Sequence, residues 1–110
     1  MDLSVVIAII RRQTLEAVEQ GLSEIGVRGI SVSKVKGYGE YHNFFSEDWM
    51  VESIRLEIFT RKDKVDAITA AIMKSAHTGS PGDGIVAVYP IEKFYNIRLR
   101  SEAAPDQVQR

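Results

Sequence analysis

Three glycines within six positions are the first residues that could hold a ligand. The stretch HTGSPGDGIVAVYPI (77–91) places Gly79, Gly82 and Gly84 just before an apolar run. Glycine-rich loops bring backbone amides close to phosphates, and this stretch satisfies G-x-x-x-x-G. A P-loop would continue with Lys, where this chain has Ile85, so the stretch is not a P-loop.

This glycine loop (78–85) also fits a plain connection between a helix and a strand. Gly79 would end the helix, and Pro81 with Gly82 would form a turn. A helix–loop–strand order is the reverse of the order that aims helix-terminal amides at phosphate. On local chemistry alone, a turn is at least as well supported as a binding loop.

An arginine pair near the C-terminus could also hold an anion. Arg98 and Arg100 are two residues apart, and in an extended segment both side chains would point to one face, with Cα atoms about 6.6 Å apart. Arginine binds phosphate through a planar fork of donors. The alternative is a solvated polar face backed by buried Ile97 and Leu99.

The remaining polar residues offer little for metal binding or catalysis. His42 and His77 are the only histidines, with no His-x-His or His-x₃-His spacing, and cysteine is absent. We therefore expect no metal site, and we expect His77 to lie at a helix C-terminus. No Ser-His-Asp or paired-carboxylate arrangement is indicated, so we expect no enzymatic activity and no cofactor.

The bulk composition predicts one globular domain. The chain has 110 residues, 45% of them hydrophobic and 26% charged. Its net charge of −1 predicts no binding of nucleic acid, and the absence of cysteine fits a cytoplasmic protein. The first apolar run, in MDLSVVIAIIRRQ, is too short to span a membrane and lacks a basic leader, so it predicts a buried strand.

Hydrophobic periodicity then gives the order of the elements. Alternation predicts strands near 3–9, 30–36, 54–58 and 85–89, an extra strand at 94–100, and a flexible tail at 101–110. Helical spacing predicts one helix from an N-cap at Thr14 to Gly26, and a second from Thr60 to Gly79.

A β-α-β-β-α-β order predicts an α+β fold, the ferredoxin-like sandwich, with an antiparallel sheet and both helices on one face. The other face of the sheet lacks a cover in a chain of this size, so self-association is expected.

In order and spacing, IGVRGISVSKVKGYGE, IRLEIFT and AAIMKSAHTGSPGDGIVAVYPIEKFYNIRLRSE resemble the P-II signal-transduction family over residues 3–102. The resemblance implies one domain (1–100) that forms a compact homotrimer with an adenine nucleotide between neighbouring subunits. The glycine loop matches the family's B-loop, residues 94–100 match the arginine segment that clamps phosphate from the next subunit, and residues 38–51 match the T-loop, which contacts a partner.

The resemblance also implies individual nucleotide contacts. Gly37 and Gly39 match the glycines at the base of the T-loop. Ile9, Ser31 and Phe59 match the adenine and ribose pocket by strand alignment. The full set is Ile9, Ser31, Gly37, Gly39, Phe59, Thr78, Gly79, Gly82, Asp83, Gly84, Arg98 and Arg100.

The chain departs from the family at three expected contacts. Ile85 and Ser53 replace lysines, and Glu40 with Tyr41 replaces a basic residue and a glutamine. Each lost charge-assisted hydrogen bond is worth about 1.5–3 kcal/mol. We therefore expect ADP or AMP to bind better than MgATP with 2-oxoglutarate.

The T-loop is short and aromatic. Between Gly39 and Val51 lie the 11 residues EYHNFFSEDWM. We expect Phe44 and Trp49 to pack against the trimer, and Tyr41, His42 and Phe45 to face a partner. The family controls ammonium transporters and nitrogen enzymes, while short-loop members could serve inorganic-carbon or metal transport, with bicarbonate as a second effector.

Two other functions remain open at this point. One is a ferredoxin-like trimer of the metal-tolerance type, linked to metal handling and without nucleotide recognition. The other is a small enzyme that uses Arg98, Arg100 and Asp83 on a phosphorylated substrate. The glycine loop followed by IRLR favours a nucleotide sensor over both.

Overall fold

The computed structural model describes residues 2–37 and 51–105. Short 3₁₀ turns at Arg12–Thr14 and Lys62–Lys64 lead into the two helices. The elements are β1 (Leu3–Ile10), α1 (Leu15–Glu24), β2 (Ser31–Gly37), β3 (Val51–Arg61), α2 (Val65–Ala76), β4 (Gly84–Ile91), β5 (Tyr95–Asn96) and β6 (Ser101–Glu102).

The main sheet is antiparallel, in the order β2-β3-β1-β4. Along β1, Val6, Ala8 and Ile10 are buried, whereas Val5 and Ile7 are half-buried. Successive side chains of a strand point to opposite faces, so the first set packs under the helices and the second lies on the helix-free face. The predicted α+β ferredoxin-like fold is confirmed.

One apolar core joins the sheet to both helices. Valine and isoleucine dominate its strand positions because branched side chains pack well on a pleated surface. Helical spacing places its helix members on the faces that meet the sheet. The buried cluster consists of Val6, Ala8, Ile10, Val18, Leu22, Ile54, Leu56, Ile58, Ile68, Ile72 and Ala76.

α1 begins at Leu15 directly after Thr14, as predicted, although the Thr14 side chain does not cap the helix; α2 begins at Val65, so the predicted start at Thr60 is wrong. Thr14 lies in the 3₁₀ turn, and its hydroxyl donates 2.9 Å to the Arg11 carbonyl instead of accepting from a helix amide. Thr60 is a buried residue of β3, paired with Ser4. Tertiary pairing of the strand overrides the local capping pattern at Thr60. The predicted stop at Gly26 agrees with the structure, since Gly26 has φ 87° and follows the last turn of α1.

The C-terminal segment differs from the predicted single strand. β5 and β6 pair as a small hairpin, with residues 97–100 as its turn. Residues 101–102 form β6, which pairs with β5, and Ala104 is fully buried. Within the ranges 2–37 and 51–105, no helix is both long and apolar enough to cross a membrane.

Candidate functional site

The glycine loop joins the end of α2 to the start of β4, as predicted. All three glycines of this loop have positive φ angles: Gly79 at 89°, Gly82 at 96° and Gly84 at 112°. At Gly84, which pairs with Ile10, a Cβ atom would lie 1.8 Å from the carbonyl oxygen of Ile9. Glycine is therefore required at the point where the loop enters the sheet.

The carboxylate of Asp83 closes the loop on itself. Its Oδ2 accepts hydrogen bonds from the amides of Thr78, at 2.8 Å, and Gly79, at 3.0 Å, and its Oδ1 accepts from the Thr78 hydroxyl. The Thr78 hydroxyl oxygen also accepts from the amide of Ser80, at 3.2 Å. The hydroxyl of Thr78, and then its amide, hold the pKa of Asp83 well below the usual range.

Arg11 ties this loop to the end of β1. Its Nε donates to Asp83 Oδ1 at 3.2 Å, and its Nη2 donates to the Pro81 carbonyl at 2.6 Å. One guanidinium therefore holds both a charged side chain and a backbone group of the loop. This role of Arg11 could not be predicted from the sequence, since Arg11 and Asp83 are 72 positions apart and no local pattern links them.

These contacts leave part of the loop backbone available. Within the described part of the chain, the amides of Gly82 and Asp83 donate no hydrogen bond. Successive unpaired amides attract anions, and the charge of Asp83 is already engaged by Arg11 and Thr78. The loop can therefore accept an anion such as phosphate through its backbone.

Arg98 and Arg100 do not lie in an extended strand. Both occupy the turn of the β5–β6 hairpin, where Arg100 has φ 54° and its amide donates to the Ile97 carbonyl at 3.2 Å. The expected strand spacing is therefore wrong. The alternative interpretation, in which Ile97 and Leu99 are buried behind a solvated polar face, is also wrong. Ile97 is 92% exposed and Leu99 is 47% exposed. Asn96 stabilises this turn, since its side-chain oxygen accepts from the Leu99 amide at 2.9 Å.

The hairpin and the glycine loop begin at opposite ends of the sheet. β4 starts at Gly84, beside Ile10, and finishes at Ile91, beside Leu3. At about 3.3 Å per residue, this strand separates the loop from the base of the hairpin by about 23 Å. The hairpin base is fixed by Phe94, whose ring centre lies 5.6 Å from that of Phe59.

The three residues predicted from strand alignment share one face. Ile9 pairs with Ile85 and Arg55, Ser31 pairs with Glu57, and Phe59 pairs with Val5, all on the helix-free face. Ile9 adjoins the glycine loop, and Gly37 ends β2 at the same end of the sheet. The remaining predicted contacts, Gly39, Tyr41, His42 and Phe45, lie outside the described residues.

The helix-free face also carries charge. Arg55 and Glu57 form an ion pair of 3.0 Å between Ile7 and Ile9 on one side and Ser31 on the other. This pair places polar groups on the helix-free face beside Ile9 and Ser31, two of the predicted pocket residues. Among residues 2–37 and 51–105, no group of three acidic, histidine or cysteine side chains could hold a metal ion.

Comparisons with known proteins agree on one family. The family model described as nitrogen regulatory protein P-II matches residues 3–101. A nitrogen regulatory protein P-II homolog from Arabidopsis thaliana is 37% identical over 99 residues, which cover 83% of this chain and 50% of that protein. The chain thus spans about half the length of the plant relatives it matches.

Two solved structures have similar backbones. Arabidopsis thaliana PII bound to citrate has a TM-score of 0.80 and 32% identity, over 93% of this chain and 89% of that one. The B. subtilis GlnK–ATP complex has a TM-score of 0.79 and 33% identity, over 97% and 98% of the two chains.

The entry of the glycine loop into β4 can be tested with two alanine variants. Gly84→Ala should destabilise the protein more than Gly26→Ala, because its Cβ would collide with the Ile9 carbonyl, whereas Gly26 has nothing within 4 Å. The free energy of unfolding of the Gly26 variant should fall by only about 1–2 kcal/mol, the cost of placing alanine in a left-handed backbone conformation. Urea unfolding at equal protein concentration measures both, and equal losses would contradict the close approach.

Asp83→Asn should reduce stability at neutral pH and matter less in acid. The pKa of Asp83 is lowered in the folded state, whereas the pKa of the carboxyl in the unfolded chain is about 3.9. The stabilisation by ionised Asp83 is therefore present above about pH 4 and is lost as the pH falls toward the folded-state pKa. Urea unfolding from about pH 7 to pH 3 measures the free energy of unfolding of wild type and variant. The difference between the two must shrink in acid for this account to hold.

Proposed function

Because the chain belongs to the nitrogen regulatory protein P-II family, we propose that it is a regulatory protein that binds an adenine nucleotide at the glycine loop. P-II proteins are regulatory rather than enzymatic, and we extend that role to this chain. The family match does not favour the metal-tolerance alternative. The ligand class is supported by a relative of similar backbone that was solved with ATP.

One observation carries the proposal: the loop has a single carboxylate, which is already satisfied, and its amides at Gly82 and Asp83 have no partner among residues 2–37 and 51–105. Asp83 accepts from Thr78, Gly79 and Arg11, so its negative charge is directed into the loop. A phosphate group then meets unpaired backbone donors at Gly82 and Asp83 without an uncompensated carboxylate. Local sequence left a plain turn equally open, and this pattern of bonds favours binding.

We further propose that ADP or AMP is preferred over MgATP. Ile85, the last residue of the glycine loop, lies on the helix-free face and is 42% exposed, so an apolar side chain stands where the family resemblance implies a phosphate-binding lysine. Ser53 is buried and carries no charge. Glu40 and Tyr41, the other departures, lie outside the described residues. Fewer cations should weaken binding most for the nucleotide with the most phosphate charge.

The assembly we propose is a homotrimer with the site between subunits. Within one chain the glycine loop and the base of the arginine hairpin are about 23 Å apart along β4. Arg98 and Arg100 could join the loop of a neighbouring copy in a closed ring with heterologous contacts. The exposure of Ile97 and Tyr95 on the same hairpin supports its burial against another subunit.

The regulated partner is proposed from the family alone. We infer a cytoplasmic metabolic enzyme or a membrane transporter, in nitrogen or inorganic-carbon metabolism, contacted through the T-loop by Tyr41, His42 and Phe45. Bicarbonate is a possible second effector in the space that the missing loop side chains would have filled. A pulldown with and without ADP identifies the partner and shows whether its binding depends on the nucleotide.

Isothermal titration with adenosine, AMP, ADP and ATP with Mg²⁺ tests the ligand. We expect ADP or AMP to bind at least about tenfold more tightly than MgATP, which corresponds to the loss of one charge-assisted hydrogen bond. Arg98→Ala with Arg100→Ala should weaken ADP far more than adenosine, which has no phosphate. Tightest binding of MgATP would contradict the preference, and binding of none of the four would contradict the proposed function.

Mixed trimers test the site between subunits. Asp83→Ala and Arg98→Ala/Arg100→Ala should each bind ADP weakly as pure proteins. After co-refolding in equal amounts, about a quarter of the clefts should combine an intact loop with intact arginines and regain tight binding. Light scattering should give about 37 kDa, three copies of the 12.3 kDa chain. Failure of the mixture to regain tight binding would place the whole site within one subunit.

A further inference from the structure

Arg11 makes the contact that connects the glycine loop to the rest of the sheet. It follows β1 directly, and its guanidinium donates to the Asp83 carboxylate and to the Pro81 carbonyl. A planar guanidinium can make both bonds at once, whereas a lysine ammonium cannot reproduce the fork. Two points of the loop, two residues apart, are thus fixed by one side chain.

The bond to Asp83 also affects the other donors in the loop. The same carboxylate accepts from the amides of Thr78 and Gly79, so a shift of Asp83 would release these amides as well. The amides of Gly82 and Asp83, unpaired as far as the described residues show, lie between the two groups that Arg11 holds. The orientation of these amides therefore depends on Arg11.

We propose that Arg11 is a positioning residue for phosphate binding, which holds the glycine loop in its anion-accepting form through Asp83 and Pro81 without touching the nucleotide. This inference rests on the proposed function for its ligand. The state of the loop itself can be measured without ligand. Removal of Arg11 would also take away the cation that is paired with Asp83.

The neighbouring residue provides a matched control. Arg12 has the same side chain, is 67% exposed, and approaches Glu52 only at 4.0 Å. By comparison, the Arg11 side chain is 32% exposed and is bonded twice to the loop. Arg11→Lys and Arg12→Lys both keep the net charge, so any difference between them reports the fork of Arg11 and not the overall charge.

The experiment compares wild type, Arg11→Lys and Arg12→Lys by two readouts. The first is amide hydrogen exchange at Thr78 and Gly79 in the ligand-free protein. The second is the Kd for ADP and for adenosine by titration calorimetry. For Arg11→Lys we expect faster exchange at both amides and about tenfold weaker binding of ADP with unchanged binding of adenosine, which corresponds to one lost charge-assisted bond. Arg12→Lys should match wild type.

Other results would contradict either the positioning role of Arg11 or the proposed function. If Arg11→Lys binds ADP as Arg12→Lys does, the inference is overturned. If it loses ADP while the Thr78 and Gly79 amides stay protected, Arg11 contacts phosphate directly and the positioning role is wrong. If wild type binds no nucleotide, the proposed function fails, and the exchange rates alone still decide whether Arg11 holds the loop. If the lysine variant does not fold, Arg11→Gln is compared with Arg12→Gln, which removes the same charge.

Discussion

The carboxylate of Asp83 is the group around which the glycine loop is organised. An ionised carboxylate that is only partly exposed needs donors, and the loop supplies them from Thr78, Gly79 and Arg11. The chain can turn tightly enough to do so because glycines occupy its positive-φ positions. With this carboxylate satisfied, the amides of Gly82 and Asp83, which donate no hydrogen bond within the described residues, can meet an external anion. One residue thereby sets both the shape of the loop and its charge.

The sheet determines how that loop can be used. Its two faces have different roles: alternate residues build the core under the helices, and the others form a helix-free face with Ile9, Phe59 and the Arg55–Glu57 pair. Its two ends also differ, because β4 runs from the glycine loop to the base of the arginine hairpin. A phosphate held by both would most simply require two copies of the chain. Under the proposed function, the fold would therefore connect nucleotide binding with assembly.

Features that depend on neighbouring residues could be predicted from the sequence, whereas features that depend on distant residues could not. Alternation and helical spacing identified the four main strands and both helices, since burial of one face imposes these periods. The stop at Gly26 was also local and correct. The cap at Thr60 was wrong because strand pairing with Ser4 buried it. The strand predicted at 94–100 proved to be a hairpin, which the Asn96 side chain stabilises within its turn.

The sequence by itself determined the periodicity of the core, the glycines at the loop and the family, because each of these depends on residue types at fixed local spacing. Only the tertiary structure decided which cation meets Asp83 and where the arginines lie relative to the loop. Arg11 and Asp83 are separated by 72 positions and meet because β1 and β4 are paired so that Ile10 lies beside Gly84. A pairing of this kind is fixed by the register of the whole sheet, which no short stretch of residues specifies.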